Sequence, residues 1–506
     1  MDYAIAVIDI GMTNKKVSFF DDRLNLLEAA HRTFPPVRVD GIETHDLAGM
    51  EEWFLEELSR YADRFPVKAV AVTAHGATAV CVDEQGEPCV PCVYYTHEPG
   101  PAFHREFFER FGDPLDLQRR TGTAEFKALI NLGKGLYFVK QRFPEGWART
   151  KWILSYPQYW GYRLTGRIGA EWTYLGCHTY LWDFLAGEYS EVARSMGILP
   201  LLPREIRRPW DSLGTVSEVV SDRTGLAPNT IVTLGIHDSN ASLLPYFVTE
   251  RVGDFVLNST GTWCVLMNPT DRYRMEEEEL GKVVFYNISA MDTPIKTAIF
   301  RGGAEYEAYR ELISRYAALD EDPDFIPMDY VDFLRRSDTF ILPELIPGSG
   351  QFPGSPPGIV EGGRWFPYEE IVRGGRVPPV LREGKRAYTA LTVSLVLQTL
   401  VALRRIGLRK GQKVFIEGGF RRNQAYCLLL SSALPDHPVY LSDLTEATSF
   451  GAAMTGRMAL TGSGIEELSG DTSIRYTELE KHDVPGLKEY EQAWLDLIAQ
   501  HTEKER

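Results

Sequence analysis

Three separated glycine-bearing segments carry side chains whose types suit phosphate binding. They are Ala6–Val17 (AVIDIGMTNKKV), Asn258–Met267 (NSTGTWCVLM) and Phe415–Ala425 (FIEGGFRRNQA). A fourth segment, Gly235–Ser242 (GIHDSNAS), adds a carboxylate. Glycine lets the backbone approach a ligand closely, while backbone N–H groups, hydroxyls and lysine attract phosphate oxygens. The order and wide separation of these segments predict two domains that close on one nucleotide, which is typical of a kinase.

The first segment reads as a β-hairpin with a polar tip. Asp9 ends an apolar run rich in β-branched residues, and the tip that follows carries Gly11, Thr13, Asn14 and Lys16. We expect these four residues to bind the phosphates of a nucleotide. Asp9 is suited to hold Mg²⁺ through water, because this ion keeps much of its hydration shell. For this segment alone, an ordinary hairpin remains an equal alternative.

Two further segments extend the predicted nucleotide site. Ser259, Gly261 and Thr262 repeat the hydroxyl-rich turn without a charge, although an ordinary polar turn has the same pattern. The Gly418-Gly419 pair and Asn423 follow a predicted strand and open a predicted helix, where a nucleoside and its phosphates can approach the backbone. The sequence contains no GxxxxGK[ST] motif, which argues against a P-loop nucleoside triphosphatase.

Candidate acceptor-binding residues follow other predicted strands. His237-Asp238 lies where a strand ends and a helix begins, and ligands favour such strand ends in α/β sheets. Asp238 is our candidate general base, to take a proton from a substrate hydroxyl; a helix N-cap is the alternative role. His75-Gly76 ends another strand, and a neighbouring predicted hairpin (Ala79–Val82 with Val90–Tyr95) delivers His97 and Glu98. The predicted substrate contacts are therefore His75, Gly76, His97, Glu98, His237 and Asp238.

Alternating strands and helices predict an α/β protein with a repeated hairpin. The runs Tyr3–Ile10 and Lys16–Phe20 form the first hairpin, and Asp254–Asn258 with Thr262–Met267 echoes it in the second half. A weak internal duplication is therefore expected. Helical patterns include Trp152–Leu164.

Composition limits the partners. The 506 residues carry a net charge of −16, which argues against nucleic acid or an anionic membrane as a partner. The longest apolar run, Ala387–Leu403, is interrupted by Thr, Ser and Gln and reads as a buried helix.

No basic leader follows Met1, so we expect a cytoplasmic protein. The pair Cys89-Val-Pro-Cys92 has no second CxxC partner, and we interpret it as coincidental rather than as half of a zinc site.

The ordered segments resemble the FGGY family of carbohydrate kinases. The resemblance extends from about residue 4 to residue 460 and rests on five elements in the family's order. They are Asp9 with Gly11, Thr13, Asn14 and Lys16; Gly235 with Asp238; Ser259 with Gly261 and Thr262; Gly418 with Gly419 and Asn423; and Glu446 with Ala447, Gly451, Ala452 and Ala453. The Leu164–Gly166 segment and Glu171 with Thr173 are also similar.

The resemblance implies two actin-like, ribonuclease-H-like domains with ATP and Mg²⁺ in the cleft between them. It implies a sugar-binding domain over residues 1–245, an ATP-binding domain over 246–465 and a helical extension over 466–506, with residues 503–506 frayed. By the same resemblance, Asp238 is the catalytic base and also, with Asp9, assists the metal. A homodimer is a further expectation taken from the family.

The resemblance leaves the acceptor open. The residues around His237 and the Glu171–Thr179 stretch are similar to L-rhamnulose and L-fuculose kinases, whereas His75-Gly76 is similar to xylulose kinases. The family's W-x-D-x-R element is replaced by Tyr94–Pro99 (YYTHEP), which lacks the Asp and the Arg. We therefore predict that ATP phosphorylates a ketose, namely L-rhamnulose, L-fuculose or a pentulose. A polyol or sugar acid is the alternative acceptor, and a non-catalytic sensor of sugar or nucleotide is the alternative function. Sugar stereochemistry, the phosphorylated carbon and the rate-limiting step are not predicted.

Overall fold

A computed structural model of the protein describes residues 1–346, 348–470 and 474–504. The chain forms two α/β halves, each around one large mixed sheet. The strands of the first half are β1 Ala4–Ile10, β2 Asn14–Asp21, β3 Leu26–Thr33, β4 Val37–Val39, β5 Ile42–Thr44, β6 Val67–Ala74, β7 Ala79–Val82, β8 Trp152–Ser155, β9 Ala170–Glu171, β10 Trp182–Asp183, β11 Glu188–Tyr189, β12 Ile206–Arg207, β13 Ser212–Thr215, β14 Ile231–Thr233 and β15 Ile236–His237. Its helices are α1 Leu47–Ala62, α2 Pro101–Phe111, α3 Pro114–Thr121, α4 Leu132–Arg142, α5 Pro144–Trp147, α6 Tyr156–Thr165, α7 Trp172–Leu175, α8 Glu191–Ser195, α9 Glu218–Thr224 and α10 Asp238–Leu243, with 3₁₀ turns at Leu199–Leu201 and Leu244–Val248.

The second half follows directly. Its strands are β16 Phe255–Thr260, β17 Cys264–Pro269, β18 Val284–Ile288, β19 Pro294–Phe300, β20 Thr339–Leu342, β21 Gly358–Glu361, β22 Arg364–Pro367, β23 Lys413–Gly418, β24 Val439–Ser442 and β25 Tyr476–Glu478. Its helices are α11 Gly302–Ala317, α12 Pro327–Arg336, α13 Tyr368–Val372, α14 Gly384–Arg405, α15 Gln424–Ala433, α16 Ala447–Thr461 and α17 Leu487–Lys504, with 3₁₀ turns at Glu277–Glu279, Pro379–Arg382, Gly419–Arg422 and Ile465–Gly470.

The two sheets repeat one topology. In the first, the order is β13-β14-β6-β1-β2-β3, and β15 also pairs with β6. In the second, the order is β18-β19-β17-β16-β23-β24-β25. Each sheet contains an antiparallel hairpin whose first strand also pairs in parallel with a later strand: β1 with β6, and β16 with β23. The predicted duplication of the hairpin is therefore confirmed at the level of topology.

A buried helix crossing joins the two halves. Helix α16, from the second half of the sequence, packs on β1 and β6 of the first sheet and crosses α10. A Cβ atom at Gly451 would lie 1.8 Å from the Ala241 carbonyl oxygen, and one at Gly456 would lie 2.6 Å from the Ile5 side chain. Side chains from both halves share one apolar cluster at this crossing. Small residues of α16 thus permit the close approach that connects the two sheets.

Two predicted elements are wrong because the strands that pair in the structure, β7 and β8, are distant in sequence. The strand β7 pairs with β8, Trp152–Ser155, and not with residues 90–95, which contribute a single bridge from Val93 to Thr44. The predicted helix 152–164 therefore starts as strand β8 and becomes helical only at Tyr156. The apolar run of residues 152–155 fits either element, and pairing across the fold decides between them.

Helix α14 and the C-terminal segment complete the second half. Helix α14 is long and apolar enough to cross a membrane, but its most apolar stretch is almost entirely buried inside the protein, as expected for a core helix. The segment predicted as a helical extension is mixed, because β25 adds a strand to the edge of the second sheet before α17. The expected fraying at residues 503–506 falls on the end of α17 and on residues 505–506, which lie outside the described residues.

Candidate active site

A cavity of about 370 Å³ lies between the two halves. Residues of both halves line it, so the cavity exists only in the assembled fold. The first half contributes His75, Gly76, Tyr95, Phe126, Cys177, His178, His237 and Asp238, and the second contributes the turn Ser259–Thr262, Trp263, Phe285, Asn287 and Thr448. This volume is within the range of small-molecule sites.

Asp238 faces this cavity from the start of α10. Its side chain is 32% exposed, and burial in the cleft raises the pKa of its carboxyl. The backbone N–H of Ser239 donates to Asp238 Oδ1 at 2.6 Å and lies 3.2 Å from Nδ1 of His237, the N-cap residue. Asp238 is therefore the first residue of the helix and not its N-cap, and it lines the cavity.

The short helix α7 fixes the first-half wall. Glu171 caps it, accepting from the backbone N–H groups of Thr173 at 2.6 Å and Tyr174 at 2.8 Å, and burial raises the pKa of this carboxyl to about 7. Thr173 Oγ1 in turn accepts from the His237 backbone N–H at 2.9 Å. The Tyr174 hydroxyl lies within hydrogen-bonding distance of the carbonyls of His75 and Thr78. This one turn of helix is thus hydrogen-bonded both to His75, which follows β6, and to His237, which ends β15.

His75 and Gly76 both reach the cavity. The His75 Nδ1–H donates to the Gly76 carbonyl at 2.9 Å, and burial lowers the pKa of the ring to about 4, so the imidazole is neutral near pH 7. Its Nε2 is buried and has no hydrogen-bond partner within the described ranges, which leaves it available to a ligand. A Cβ at Gly76 would lie 2.7 Å from His237 Nε2, so glycine keeps this part of the cavity open.

The structure does not bring His97 and Glu98 to this cavity. The His97 ring packs 4.9 Å from the Phe138 ring, and Glu98 accepts from the backbone N–H groups of Gly100 and Ala128 at 2.8 and 2.7 Å. Tyr95 is the member of the YYTHEP segment that lines the cavity. Glu98 thus orders a loop, and the predicted hairpin is reduced to a bridge between Val82 and Pro88, so no strand over residues 90–95 directs Glu98 inward.

The first predicted phosphate hairpin is present, with its tip open to solvent. Gly11 closes the turn, where a Cβ would lie 2.9 Å from the Asn14 carbonyl oxygen, and Thr13 and Asn14 are exposed. Lys16 pairs with Glu446 and lies 3.5 Å from Asp9 Oδ2. Burial alone would lower the pKa of Lys16, but the two carboxylates raise it, so the ammonium is kept charged. The tip thus carries exposed donors next to a fixed cation.

Asp9 lies at the end of β1 and contacts the second half. The Ser449 hydroxyl donates to Asp9 Oδ2 at 2.6 Å, and burial raises the pKa of the carboxyl, with Asp238 contributing in the same direction. Asp9 is therefore a buried carboxylate, and the partly exposed Asp238 is near enough for its charge to act on Asp9. Carboxylate oxygens with room for water are the ligands that Mg²⁺ takes in nucleotide sites, so these residues fit that ion.

The second and third glycine segments form one unit. The Thr260 hydroxyl donates to the Glu417 carbonyl and accepts from the Phe420 backbone N–H at 2.9 Å. At Gly418, where φ is 80°, a Cβ would lie 1.9 Å from the Thr260 carbonyl oxygen. Glycine is therefore required where the chain from β23 passes the turn that follows β16. Ser259, Gly261 and Thr262 line the cavity beside this junction, and Gly419 opens the 3₁₀ turn.

Asn423 caps helix α15. Its Oδ1 accepts from the Tyr426 backbone N–H at 2.9 Å and from the Tyr388 hydroxyl at 3.2 Å. Its Nδ2 is buried without a partner in the part of the chain that the structure describes. One donor of this amide thus remains available, and the predicted adenosine contact stays a prediction.

Models of two domains of one family match almost the whole chain. The FGGY N-terminal domain of carbohydrate kinases matches residues 4–245, and the carbohydrate kinase FGGY C-terminal domain matches residues 253–463. The chain belongs to the FGGY family of carbohydrate kinases. The curated FGGY relatives that it matches include a rhamnulokinase from Halalkalibacterium halodurans, 24% identical over 37% of this chain and 38% of the relative, and one from Yersinia pestis, 24% identical over 52% and 53%. The matches thus span between about a third and a half of these relatives' length.

Solved FGGY structures share the fold over nearly the full length. A carbohydrate kinase from Novosphingobium aromaticivorans is 28% identical with a TM-score of 0.78, covering 97% of this chain and 100% of that one. A xylulose kinase from Lactobacillus acidophilus, 14% identical, covers 99% and 97% with a TM-score of 0.76. The predicted family and the predicted fold, two actin-like domains, are confirmed.

Sequence reasoning missed several residues of this FGGY site. Cys177 and His178 line the cavity, and the only signal for them was the resemblance of the Glu171–Thr179 stretch. Beside the site and outside the cavity lining, Arg301 lies over the Trp263 ring at 5.4 Å from its centroid, and its Nε is buried without a partner in the described chain. It precedes Gly302-Gly303, where a Cβ at Gly303 would lie 2.0 Å from the Gly261 carbonyl oxygen. The sequence signal for Arg301 was the Gly302-Gly303 pair between a strand and a helix, the same pattern as at Gly418-Gly419.

Proposed function

We propose that the protein is an ATP-dependent sugar kinase that transfers the γ-phosphate of ATP to a hydroxyl of a ketose, with Asp238 as general base. One observation carries the proposal. Asp238 and the turn Ser259–Thr262 line the same cavity from opposite halves of the fold. A phosphoryl donor held at the turn and an acceptor held at the first-half wall would meet in front of this carboxylate. Phosphoryl transfer is mostly positioning and charge stabilisation, and this arrangement supplies both.

The nucleotide side uses groups whose geometry supports phosphate binding. Backbone N–H groups and hydroxyls of the two turns, Gly11–Asn14 and Ser259–Thr262, donate to phosphate oxygens, and Lys16 adds a fixed positive charge. Gly418, Gly419 and Asn423 are assigned to the adenosine end. Asp9 and Asp238 would hold Mg²⁺, which neutralises charge on the transferred group. The raised pKa of Asp238 makes it a stronger proton acceptor than an exposed aspartate once it is ionised.

The acceptor side favours an uncharged sugar. Burial lowers the pKa of His75 to about 4 and those of His178 and His237 to about 3, so all three rings are neutral at pH 7. Among the described residues that line the cavity, none is lysine or arginine. A sugar acid would thus lack a cationic side chain in the wall, whereas neutral imidazoles, Asn287 and aromatic faces suit the hydroxyls and carbon face of a ketose.

Among ketoses we propose L-rhamnulose, L-fuculose or a pentulose. The two relatives described above are rhamnulokinases and one structural neighbour is a xylulose kinase, which motivates these choices. The rings of Phe126 and Phe285 lie 5.6 Å apart at the cavity and offer an apolar contact for the methyl group of a deoxyketose.

A coupled ADP-release assay tests the proposal. Protein is mixed with Mg-ATP and each member of a panel of ketoses, polyols and sugar acids, with Asp238→Asn as the paired variant. We expect one ketose to give the highest kcat/KM and Asp238→Asn to lose at least about 10²-fold in kcat while retaining ATP binding. A polyol or sugar acid that exceeds every ketose would replace the acceptor class. ATP binding without sugar-dependent ADP release would leave the sensor function in its place.

A further inference from the structure

Three metal-ligating side chains converge on the first-half wall of the cavity. Cys177 and His178 follow helix α7, and His237 ends β15. Their ligand atoms all lie within 4.8 Å of one another, and Cys177 Sγ is 3.4 Å from His237 Nε2. In a tetrahedral zinc site with Zn–S of about 2.3 Å and Zn–N of about 2.0 Å, adjacent ligand atoms lie about 3.5 Å apart. The Cys177–His237 distance matches this spacing, and the other two pairs of ligand atoms lie within 4.8 Å.

The two imidazoles are oriented as metal ligands are. His178 Nδ1–H donates to the Ile130 carbonyl at 3.0 Å, which fixes the tautomer with a lone pair on Nε2. His237 Nδ1 accepts from the Ser239 backbone N–H at 3.2 Å and lies 3.4 Å from Asp238 Oδ1. Binding of a metal at His237 Nε2 would move the ring proton to Nδ1, where Asp238 Oδ1 can accept it, and Ser239 N–H would keep its 2.6 Å contact with that oxygen. A carbonyl or carboxylate behind each histidine is the usual outer shell of a metal site.

The backbone keeps the space between these ligands open. A Cβ at Gly76 would lie 2.7 Å from His237 Nε2 and 3.1 Å from His178 Nε2, so the glycine faces the point on which both rings converge. His178 itself has φ of 40°, a left-handed conformation that non-glycine residues seldom adopt. Its ring is flanked by Phe126 and Phe285 at 5.9 and 5.8 Å. A strained residue held in this way commonly marks a functional site.

We propose that Cys177, His178 and His237 bind one zinc ion whose fourth position opens to the cavity and receives an oxygen of the sugar. One thiolate and two imidazoles are a zinc donor set, and three protein ligands with an open position are typical of zinc sites that bind substrate. As the Zn–S bond forms, the thiol proton passes to solvent, and nothing is oxidised or reduced. This ion is distinct from the Mg²⁺ of the nucleotide, which prefers oxygen ligands.

The metal would deepen the proposed function, on which the sugar part of this inference rests. A carbonyl or hydroxyl oxygen coordinated beside His237 would be fixed next to Asp238. The acceptor hydroxyl would then be oriented toward the base by a ligand bond in addition to hydrogen bonds. The apolar rings around His178 would exclude competing water from the site.

Metal content is the first measurement. Untagged protein is produced with added Zn²⁺, passed through a desalting column and analysed by inductively coupled plasma mass spectrometry. We expect about one zinc per chain, reduced about tenfold or more in Cys177→Ser and in His178→Asn. Cys92→Ser is the matched control, a buried cysteine outside the cluster, and should retain the metal. Zinc that is absent from the wild type, or that is unchanged in Cys177→Ser, would overturn the proposal.

Cobalt substitution gives a readout that does not depend on activity. Wild-type protein stripped with a chelator and loaded with Co²⁺ should show the visible bands of a tetrahedral site and a thiolate-to-cobalt band that Cys177→Ser lacks. L-Rhamnulose, L-fuculose and xylulose are then added, and a spectral change with one of them supports sugar coordination. Spectra that none of these sugars alters would overturn the fourth-ligand assignment. A bound metal without ADP release would count against the kinase proposal alone, and full kinase activity without zinc would count against this one alone.

Discussion

The crossing of α10 and α16 offers a sharp test, because one glycine sets the distance between them. In Gly451→Ala the new Cβ would lie 1.8 Å from the Ala241 carbonyl oxygen. Carbon–oxygen contacts of this kind settle at about 3.3 Å, so the two helices must separate by about 1.5 Å. Helix α10 begins at Asp238, so the separation displaces the proposed base.

A displacement of this size has a predictable cost. Misplacing a catalytic group by about 1 Å lowers the rate by about 10²-fold, so we expect kcat to fall by at least that factor. Overpacking of a close helix contact should reduce the free energy of unfolding by about 1–3 kcal/mol. ADP-release kinetics at saturating ATP and sugar measure the first quantity, and urea unfolding measures the second.

The control is a helical glycine with room for a methyl group. At Gly135 in α4 the nearest atom to a Cβ is the Leu129 carbonyl oxygen at 4.0 Å. Gly135→Ala should keep wild-type kcat and gain about 0.5–1 kcal/mol of stability from helix propensity. A folded Gly451→Ala enzyme with kcat within twofold of the wild type would refute the reasoning that this crossing positions Asp238.

Three further predictions concern single groups. Because burial raises the pKa of Asp238, the acid limb of kcat/KM should lie above the ordinary aspartate pKa of about 3.9, and a pH profile with its midpoint at or below that value would contradict the role. Thr260→Val leaves the Glu417 carbonyl and the Phe420 N–H unpaired, so urea unfolding should show a loss of about 1–3 kcal/mol, with KM for ATP raised more than KM for sugar. Burial raises the pKa of Glu171 from an ordinary 4.5 to about 7 in the folded protein, so its neutral form stabilises the protein below pH 4.5 and this contribution is lost as pH rises through 7. The free energy of unfolding of Glu171→Gln should therefore gain about 3 kcal/mol relative to wild type between pH 4 and pH 8. A difference in urea unfolding that does not change with pH would argue against this.

The hairpins and glycine turns were predictable because their signals are local. A β-branched run that ends at Gly11, or at the Ser259–Gly261 turn, specifies strand and turn within a dozen residues. The pairing of β7 with β8 was not predictable in this way, because about seventy residues separate the two strands. A four-residue apolar run such as Trp152–Ser155 carries no period long enough to distinguish strand from helix. Only the partner strand in the fold makes that distinction.

The candidate site divides along the same line. Asp238 was predictable because a strand end followed by a helix is a local pattern. Cys177 and His178 were not predictable, because they follow a helix of only four residues. His178 also has a left-handed backbone conformation, which hydrophobic periodicity does not predict. His97 and Glu98 were selected by proximity in sequence to Tyr95, yet the backbone N–H groups of Gly100 and Ala128 draw the Glu98 carboxylate away from the cavity.

The position of the YYTHEP segment, Tyr94–Pro99, affects which acceptor the cavity can bind. The resemblance drawn from the sequence predicts an element with an Asp and an Arg where this chain has YYTHEP, and in the structure this segment presents Tyr95 to the cavity and no charged side chain. A kinase that recognised its sugar through charged groups on this hairpin would have lost that recognition. Here the His237 imidazole at the end of β15, and the Cys177 and His178 side chains that follow α7, line the facing wall. Selectivity should therefore follow substitutions at His75, His178 and Asn287 more than substitutions at His97 or Glu98, and the acceptor panel repeated on His178→Asn and His97→Asn distinguishes the two walls.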